Sequence, residues 1–258
     1  MHTIAGTTLP RTVYLDSLHR DFARVRELVW RGVEPVPSCP GWTTHDLASH
    51  LANVYWHQSF VVRTGHKPQD GEHRPDFTFE DAPQRYLDAA HSAITFALSP
   101  MLPASREAWT FDPATNKVDF WFRRMAHETM VHRFDAELAC AELSEFDPAL
   151  ALDGADEVLS WVPQIADWLE APAPDVGLVS VTAHTPDRDV HWRLEISPAG
   201  CAAQSSDAPL READVMIDGS AEDVDLFLWG RMPATNPRIV VAGTRVPEFL
   251  TAIRTLAL

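Results

Sequence analysis

Residues 121–139 read WFRRMAHETMVHRFDAELA, and the spacing within this stretch decides the fold. It contains no Pro or Gly, and Trp121, Met125, Glu128, His132, Asp135 and Ala139 recur at alternating intervals of four and three. That period places all six on one stripe of a helix running from about Val118 to Leu143. The stripe carries an acid and an imidazole in the middle of an inward face. A carboxylate buried there without a partner is costly, so Glu128 demands one. The adjacent His127 and Glu128 suggest the metalloprotease pattern H-E-x-x-H, but the count fails. His127 and His132 are five apart, about 140° around a helix, and cannot grip one ion from the same face. Glu128 and His132 are four apart and can.

Working outward, three more amphipathic helices precede this one. Helix one spans about Arg11 to Arg31 on the stripe Leu15, Leu18, Phe22, Val25 and Val29, with Gly32 ending it. After the loop EPVPSCPGW, Thr43-x-x-Asp46 resembles a capping box that starts helix two, which ends near Gly65. Its inner stripe is Leu47, His50, Val54, His57 and Val61. Helix three is expected from a cap at Asp81, with Pro83 in its first turn, to a stop before Pro100. Four such helices argue for a bundle, whose facing stripes are where metal sites are built. Three ligands from His and Glu with one open position make a catalytic zinc site. His50, Glu128 and His132 fit that set. The bland alternative is a satisfied core histidine at each His, and the inward Glu128 is what favours a metal. His57 is a competing ligand, a proton shuttle or a core residue, with the core preferred.

After Asp147-Pro148 the pattern changes to one helix (about 154–169), then strand-like runs at 178–184, 190–196 and 214–219. A turn at Ser197-Pro198-Ala199-Gly200 follows the second of these runs. Ser220 caps a helix through Trp229, a strand-like run follows at 238–243, and a last helix covers about Val246 to Ala257. The expected fold class is α+β in two domains, a four-helix bundle over residues 1–147 and a small α+β domain over 148–258.

Composition narrows the partners. Of 258 residues, 37 are acidic and 21 basic, a formal net charge of −16, with no basic cluster. That field repels phosphate backbones and anionic lipid, so nucleic acid and membrane partners are not expected. An anionic substrate then needs a local cation, a metal or a placed Arg. No apolar run reaches the length of a membrane span, and the N-terminus lacks a secretion signal. Cys39, Cys140 and Cys201 are odd in number and far apart, which suits a reducing cytoplasm rather than a disulfide framework. Cys39 reads as a packed loop residue. The scattered Trp109, Trp121, Trp161, Trp168, Trp192 and Trp229 read as core and domain-contact residues.

The runs SCPGWTTHDLASHLAN (38–53) and WFRRMAHETMVHRFDAELA (121–139) together resemble the mycothiol-dependent maleylpyruvate isomerase family, within the wider DinB-like metal-binding bundle superfamily. Its motifs are a C-P-G-W-[ST] loop before a ligand-bearing helix, then R-R-x-x-H-E-x-x-x-H-R-x-D-A-E. The matching ligand positions here are His50, Glu128 and His132, the three already reached from spacing. The stretches VMIDGSAEDVDLFLWGR and RIVVAG resemble the family's sterol-carrier-like domain. The resemblance implies a cytoplasmic enzyme using zinc or another divalent metal and mycothiol as thiol cosubstrate. Zinc would keep the thiol as thiolate, and the thiolate would attack a small electrophile. Addition and elimination at a cis-alkene acid give an isomerase, and attack on a substrate with a leaving group gives an S-transferase. The expected state is a monomer or small homo-oligomer. The isomerases imply an Arg on the substrate carboxylate. Arg85 is one candidate, although a solvated surface residue is its preferred reading. Asp135, one turn past His132, either accepts a hydrogen bond from a ligand imidazole or pairs with Arg124 or Arg133. Two other readings stay open on the same residues: a zinc-dependent hydrolase, and a non-catalytic ligand-binding or regulatory protein.

Overall fold

The computed structural model describes residues 4–73, 75, 82–112, 115–169 and 172–254. Two compact units emerge. One covers residues 9–144; the other combines residues 4–8 with 145–254.

The first unit is built from α1 (Arg11–Val29), α2 (Thr44–Thr64), α3 (Pro83–Ala97) and α4 (Asp119–Cys140). Helix α2 packs on α3, α1 on α4, and α2 on α4. The capping box forms as the Thr43-x-x-Asp46 spacing implies, with the Thr43 side chain accepting from the Asp46 N–H and the Asp46 carboxylate accepting from the Thr43 N–H. Gly65 closes α2 at φ 86°, a left-handed conformation that costs glycine little. Asp81, expected to cap α3, lies outside the described residues. Tyr14, Leu18, Val25, Leu47, Leu51, Tyr55, Leu87, Ile94, Trp121 and Met125 fill the core.

Helix α4 is the central element, buried on nearly every face, charged residues included. Those charges are paired, as burial requires. Arg133 lies 3.4 Å from Asp21 of α1 and 3.7 Å from Glu137, and Arg24 of α1 reaches Glu137 at 3.2 Å. Glu137 also accepts from the Ser144 N–H at 3.0 Å. One side of α4 is thereby tied to α1 by buried ion pairs. The stripe turned toward α2 carries Glu128 and His132.

The second unit opens with α5 (Pro148–Ser160) and continues through a 3₁₀ turn (Val162–Gln164) into α6 (Ile165–Leu169). Helix α5 starts six residues earlier than the sequence suggested. Asp147 caps it by accepting from the Ala149 and Leu150 N–H groups, and Pro148 sits in the first turn. Pro163, in the 3₁₀ turn, cannot donate to a continuing helix and marks its break. The sheet follows as β1 (Gly177–His184), β2 (Asp189–Ser197), β3 (Gly200–Ser206), β4 (Val215–Ser220) and β5 (Ile239–Gly243), with α7 (Ala221–Leu228) and α8 (Val246–Ile253). Strand order is β3-β2-β1-β4-β5, with β1 and β4 parallel and the other pairs antiparallel. Strand β3 was missed in the sequence. Its run GCAAQSS has no β-branched or aromatic residue, and as an edge strand it takes its order from pairing with β2. Val179, Val181, Ala183, Trp192, Leu194, Ile196, Val215 and Ile217 form the buried side of the sheet. The last helix is described as far as Ile253, so its expected end at Ala257 lies outside the described residues, as does the side chain of Trp168. The N-terminal segment belongs here because Asp156 accepts from the Ile4 and Ala5 N–H groups at 3.1 and 2.9 Å and from Trp192 Nε1 at 2.8 Å.

Candidate metal centre

The loop before α2 is shaped by its own sequence. Cys39-Pro40-Gly41-Trp42 follows the type II turn pattern, with Pro in the second position and Gly41 at φ 86° in the third. The Trp42 N–H donates to the Cys39 carbonyl at 3.0 Å, and the Val36 N–H to the Trp42 carbonyl at 2.8 Å. This folded loop delivers three side chains to α4. Ser38 Oγ donates to Asp135 Oδ1 at 2.6 Å, Cys39 Sγ lies 3.5 Å from Asp135 Oδ2, and the Trp42 ring packs against two imidazoles.

Those imidazoles belong to His50 and His132. Their Nε2 atoms converge on one carboxylate oxygen, Glu128 Oε1, at 3.4 Å from His50 and 3.2 Å from His132. One ligand atom from each of the three residues falls within 4.8 Å of the others. These separations also suit ligands that share one ion. Two N or O ligands about 2.0–2.1 Å from a tetrahedral zinc lie about 3.4 Å apart. The second oxygen, Glu128 Oε2, accepts from Arg124 Nη2 at 3.2 Å, which leaves Oε1 directed at the imidazoles.

The outer contacts fix the chemistry of the donors. His132 Nδ1 lies 2.9 Å from Asp135 Oδ2, so the carboxylate holds a proton on Nδ1 and turns Nε2, the nitrogen a metal would take, toward Glu128. Asp135 is fully buried, and with Ser38 and Cys39 also upon it, it is an orienting residue for His132. Arg133 turns away to Asp21 and Glu137. Burial alone would raise the Glu128 carboxyl, but hydrogen bonds from His132 and His50 and the charges of His132 and Arg124 hold it well below the usual carboxylate range. Burial likewise opposes a charge on His132, yet its hydrogen bonds to Asp135 and Glu128 raise the imidazole to about 9. A cation bound here would displace the His132 Nε2 proton, with the Glu128 and Asp135 carboxylates to balance its charge. His50 is the accessible member, with 37% of its side chain exposed against 13% for Glu128 and 6% for His132.

The other sequence candidates fall elsewhere. His127 is fully buried against the Tyr14 ring of α1, away from His132, which disposes of the protease pattern. His57 corrects the reading of a core residue: it is half-buried and lines a cavity with Lys67 and His73, two turns along α2 from His50. Arg85 is exposed on α3. Two contacts at the candidate centre escaped the sequence reading, Trp42 against the imidazoles and Ser38 on Asp135. A signal for both was present in the Pro-Gly turn set directly before the helix cap.

The unit that carries these residues resembles known proteins. The model of the mycothiol maleylpyruvate isomerase N-terminal domain matches residues 15–137, which include all three converging side chains. Two solved structures share the fold. One is described as the mycothiol-dependent maleylpyruvate isomerase (TM-score 0.61, 15% identity, covering 93% of this chain and 96% of that one), the other as a histidine-to-alanine mutant of it (TM-score 0.61, 14% identity, the same coverage). Comparison with curated proteins gives no match. Among the described residues no helix is long and apolar enough to cross a membrane. Residues 15–137 thus match the mycothiol maleylpyruvate isomerase N-terminal domain, and the fold is that of the two solved structures.

Proposed function

We propose that this chain is a mycothiol-dependent metalloenzyme acting on a small electrophile, an isomerase of the maleylpyruvate type or an S-transferase. His50, Glu128 and His132 would hold zinc or another divalent ion. The observation that carries the reading is the convergence of two Nε2 atoms on one carboxylate oxygen at 3.4 and 3.2 Å, the ligand spacing of a tetrahedral ion. We read the first unit as a DinB-like four-helix bundle and residues 148–258 as a separate sterol-carrier-like domain. The assignment of thiol and substrate follows the family's description and the solved isomerase that shares the fold.

Bound there, the ion would supply an open position at which a thiol is held as thiolate near neutral pH. The chain's own groups prepare that position. Asp135 fixes the His132 tautomer and ring, Arg124 orients Glu128 through its second oxygen, and Trp42 packs against His50 and His132. The exposed edge of His50 leaves the centre open to a ligand from one side. The test is an assay of the zinc-loaded full chain with mycothiol and a panel of electrophiles, cis-alkene acids among them. Turnover that needs both thiol and metal supports the reading. Turnover of esters or amides that ignores the thiol would replace it with a hydrolase.

A further inference from the structure

A second polar cavity lies in the same unit, away from the three converging side chains. It measures about 490 Å³ and is lined by His57 of α2 and by Lys67, Pro68, Gln69, Asp70, Gly71 and His73 of the following loop. The His57 and His73 rings sit 5.1 Å apart, edge to face. The Lys67 ammonium is held 5.1 Å above the Trp109 ring, an aromatic contact that leaves its N–H donors available to a ligand. His57 Nδ1 is buried and has no hydrogen-bond partner among the described residues. Burial and the charge of Lys67 lower the His57 imidazole against a side-chain hydrogen bond with Gln58.

Metal binding does not explain this cluster. Among the described residues the one group of three donors close enough for an ion is His50, Glu128 and His132. An ammonium beside imidazole rings suits a carboxylate, which accepts from Lys67 and from an imidazole N–H together. Asp70 also lines the cavity but is exposed, where water screens its charge. Position matters as well. His57 follows His50 by seven residues, about 10 Å along the helix and within about 20° of the same face.

We propose that this cavity is a carboxylate subsite, in which Lys67, His57 and His73 hold the acid group of a small organic acid. The pairing of this acid with chemistry at His50, Glu128 and His132 rests on the proposed function; the affinity for a carboxylate does not. In a chain of net charge −16 such a subsite supplies the local attraction that an anionic substrate requires.

The experiment titrates maleate into the full-length protein, following the His57 imidazole by NMR and the heat of binding by calorimetry. Wild type, Lys67→Met, His57→Gln and His50→Ala are compared, each first checked for an unchanged unfolding temperature. Saturable binding with a shift of the His57 resonance is expected. Lys67→Met and His57→Gln should each weaken binding about five- to tenfold, while His50→Ala leaves it within twofold. An unmoved His57 resonance, or equal affinity in Lys67→Met, overturns the subsite. Loss of maleate binding in His50→Ala alone places the acid at the His50 centre and also overturns it. Because maleate binding is read without turnover, a failure of the thiol chemistry would leave these results unchanged.

Discussion

Replacing Asp135 tests how the centre is held. The carboxylate is fully buried and accepts from His132 Nδ1 at 2.9 Å and Ser38 Oγ at 2.6 Å, with Cys39 Sγ at 3.5 Å. An Asn keeps one acceptor oxygen but loses the charge, which removes roughly half the strength of the bond to His132. An Ala removes the acceptor entirely and frees the imidazole to rotate or change tautomer. Loss of such a partner typically costs about 10–100-fold in metal affinity, or about 1.4–2.7 kcal/mol. Asp135→Asn should therefore lie near the tenfold end and Asp135→Ala near the hundredfold end. Ser38→Ala, which leaves the His132 bond in place, should lie below both. The assay is competition for zinc against a chromophoric chelator near neutral pH, with thermal unfolding of each metal-free variant to show that the fold persists. If Asp135→Ala binds zinc within threefold of wild type, the carboxylate does not orient a ligand and the reasoning fails.

Other consequences follow from the same contacts. Gly41→Ala places a Cβ at φ 86° with no heavy atom within 4 Å, so the cost is backbone strain of about 1–2 kcal/mol, and chemical denaturation should show that loss without a change in m-value. Glu137→Ala removes the partner of Arg133 and Arg24 in a buried network and should destabilise by about 3–5 kcal/mol by the same measurement. His91, stacked on Phe22, is lowered to about 4 by burial and by the charge of His19. Since its folded value lies below the unfolded 6.5, the stability it contributes is complete above about pH 6.5 and is lost as pH falls toward 4. The loss is roughly 1–3 kcal/mol after allowance for partial exposure. His91→Phe, metal-free, should flatten that part of the stability–pH curve; an unchanged slope would remove His91 as its source.

The legible part of the site was the part written in helical spacing. Glu128 and His132 share a face because they are four apart on one unbroken helix, and His50 recurs with Leu47 and Val54 on the next. His127 could be set aside by the same count. What the spacing did not reveal were contacts between distant segments. Ser38 and Cys39 reach Asp135 only because a type II turn folds the loop back onto α4, so Cys39 read as ordinary packing and Asp135 kept two readings. His57 shows the opposite error. It lies on the periodic stripe of α2, but the stripe extends past the core to a loop, and a period cannot tell where cover ends. In the second unit, alternating β-branched residues announced β1, β2 and β4, while β3 is ordered by its neighbour rather than by its own residues.

The central claim is that one ion sits among His50, Glu128 and His132, and metal content measures it most directly. Elemental analysis of the purified, zinc-equilibrated chain should give about one ion per protein, and His50→Ala, Glu128→Ala and His132→Ala should each retain only a small fraction of it. Full stoichiometry in all three variants, or no ion in the wild type, would contradict the account.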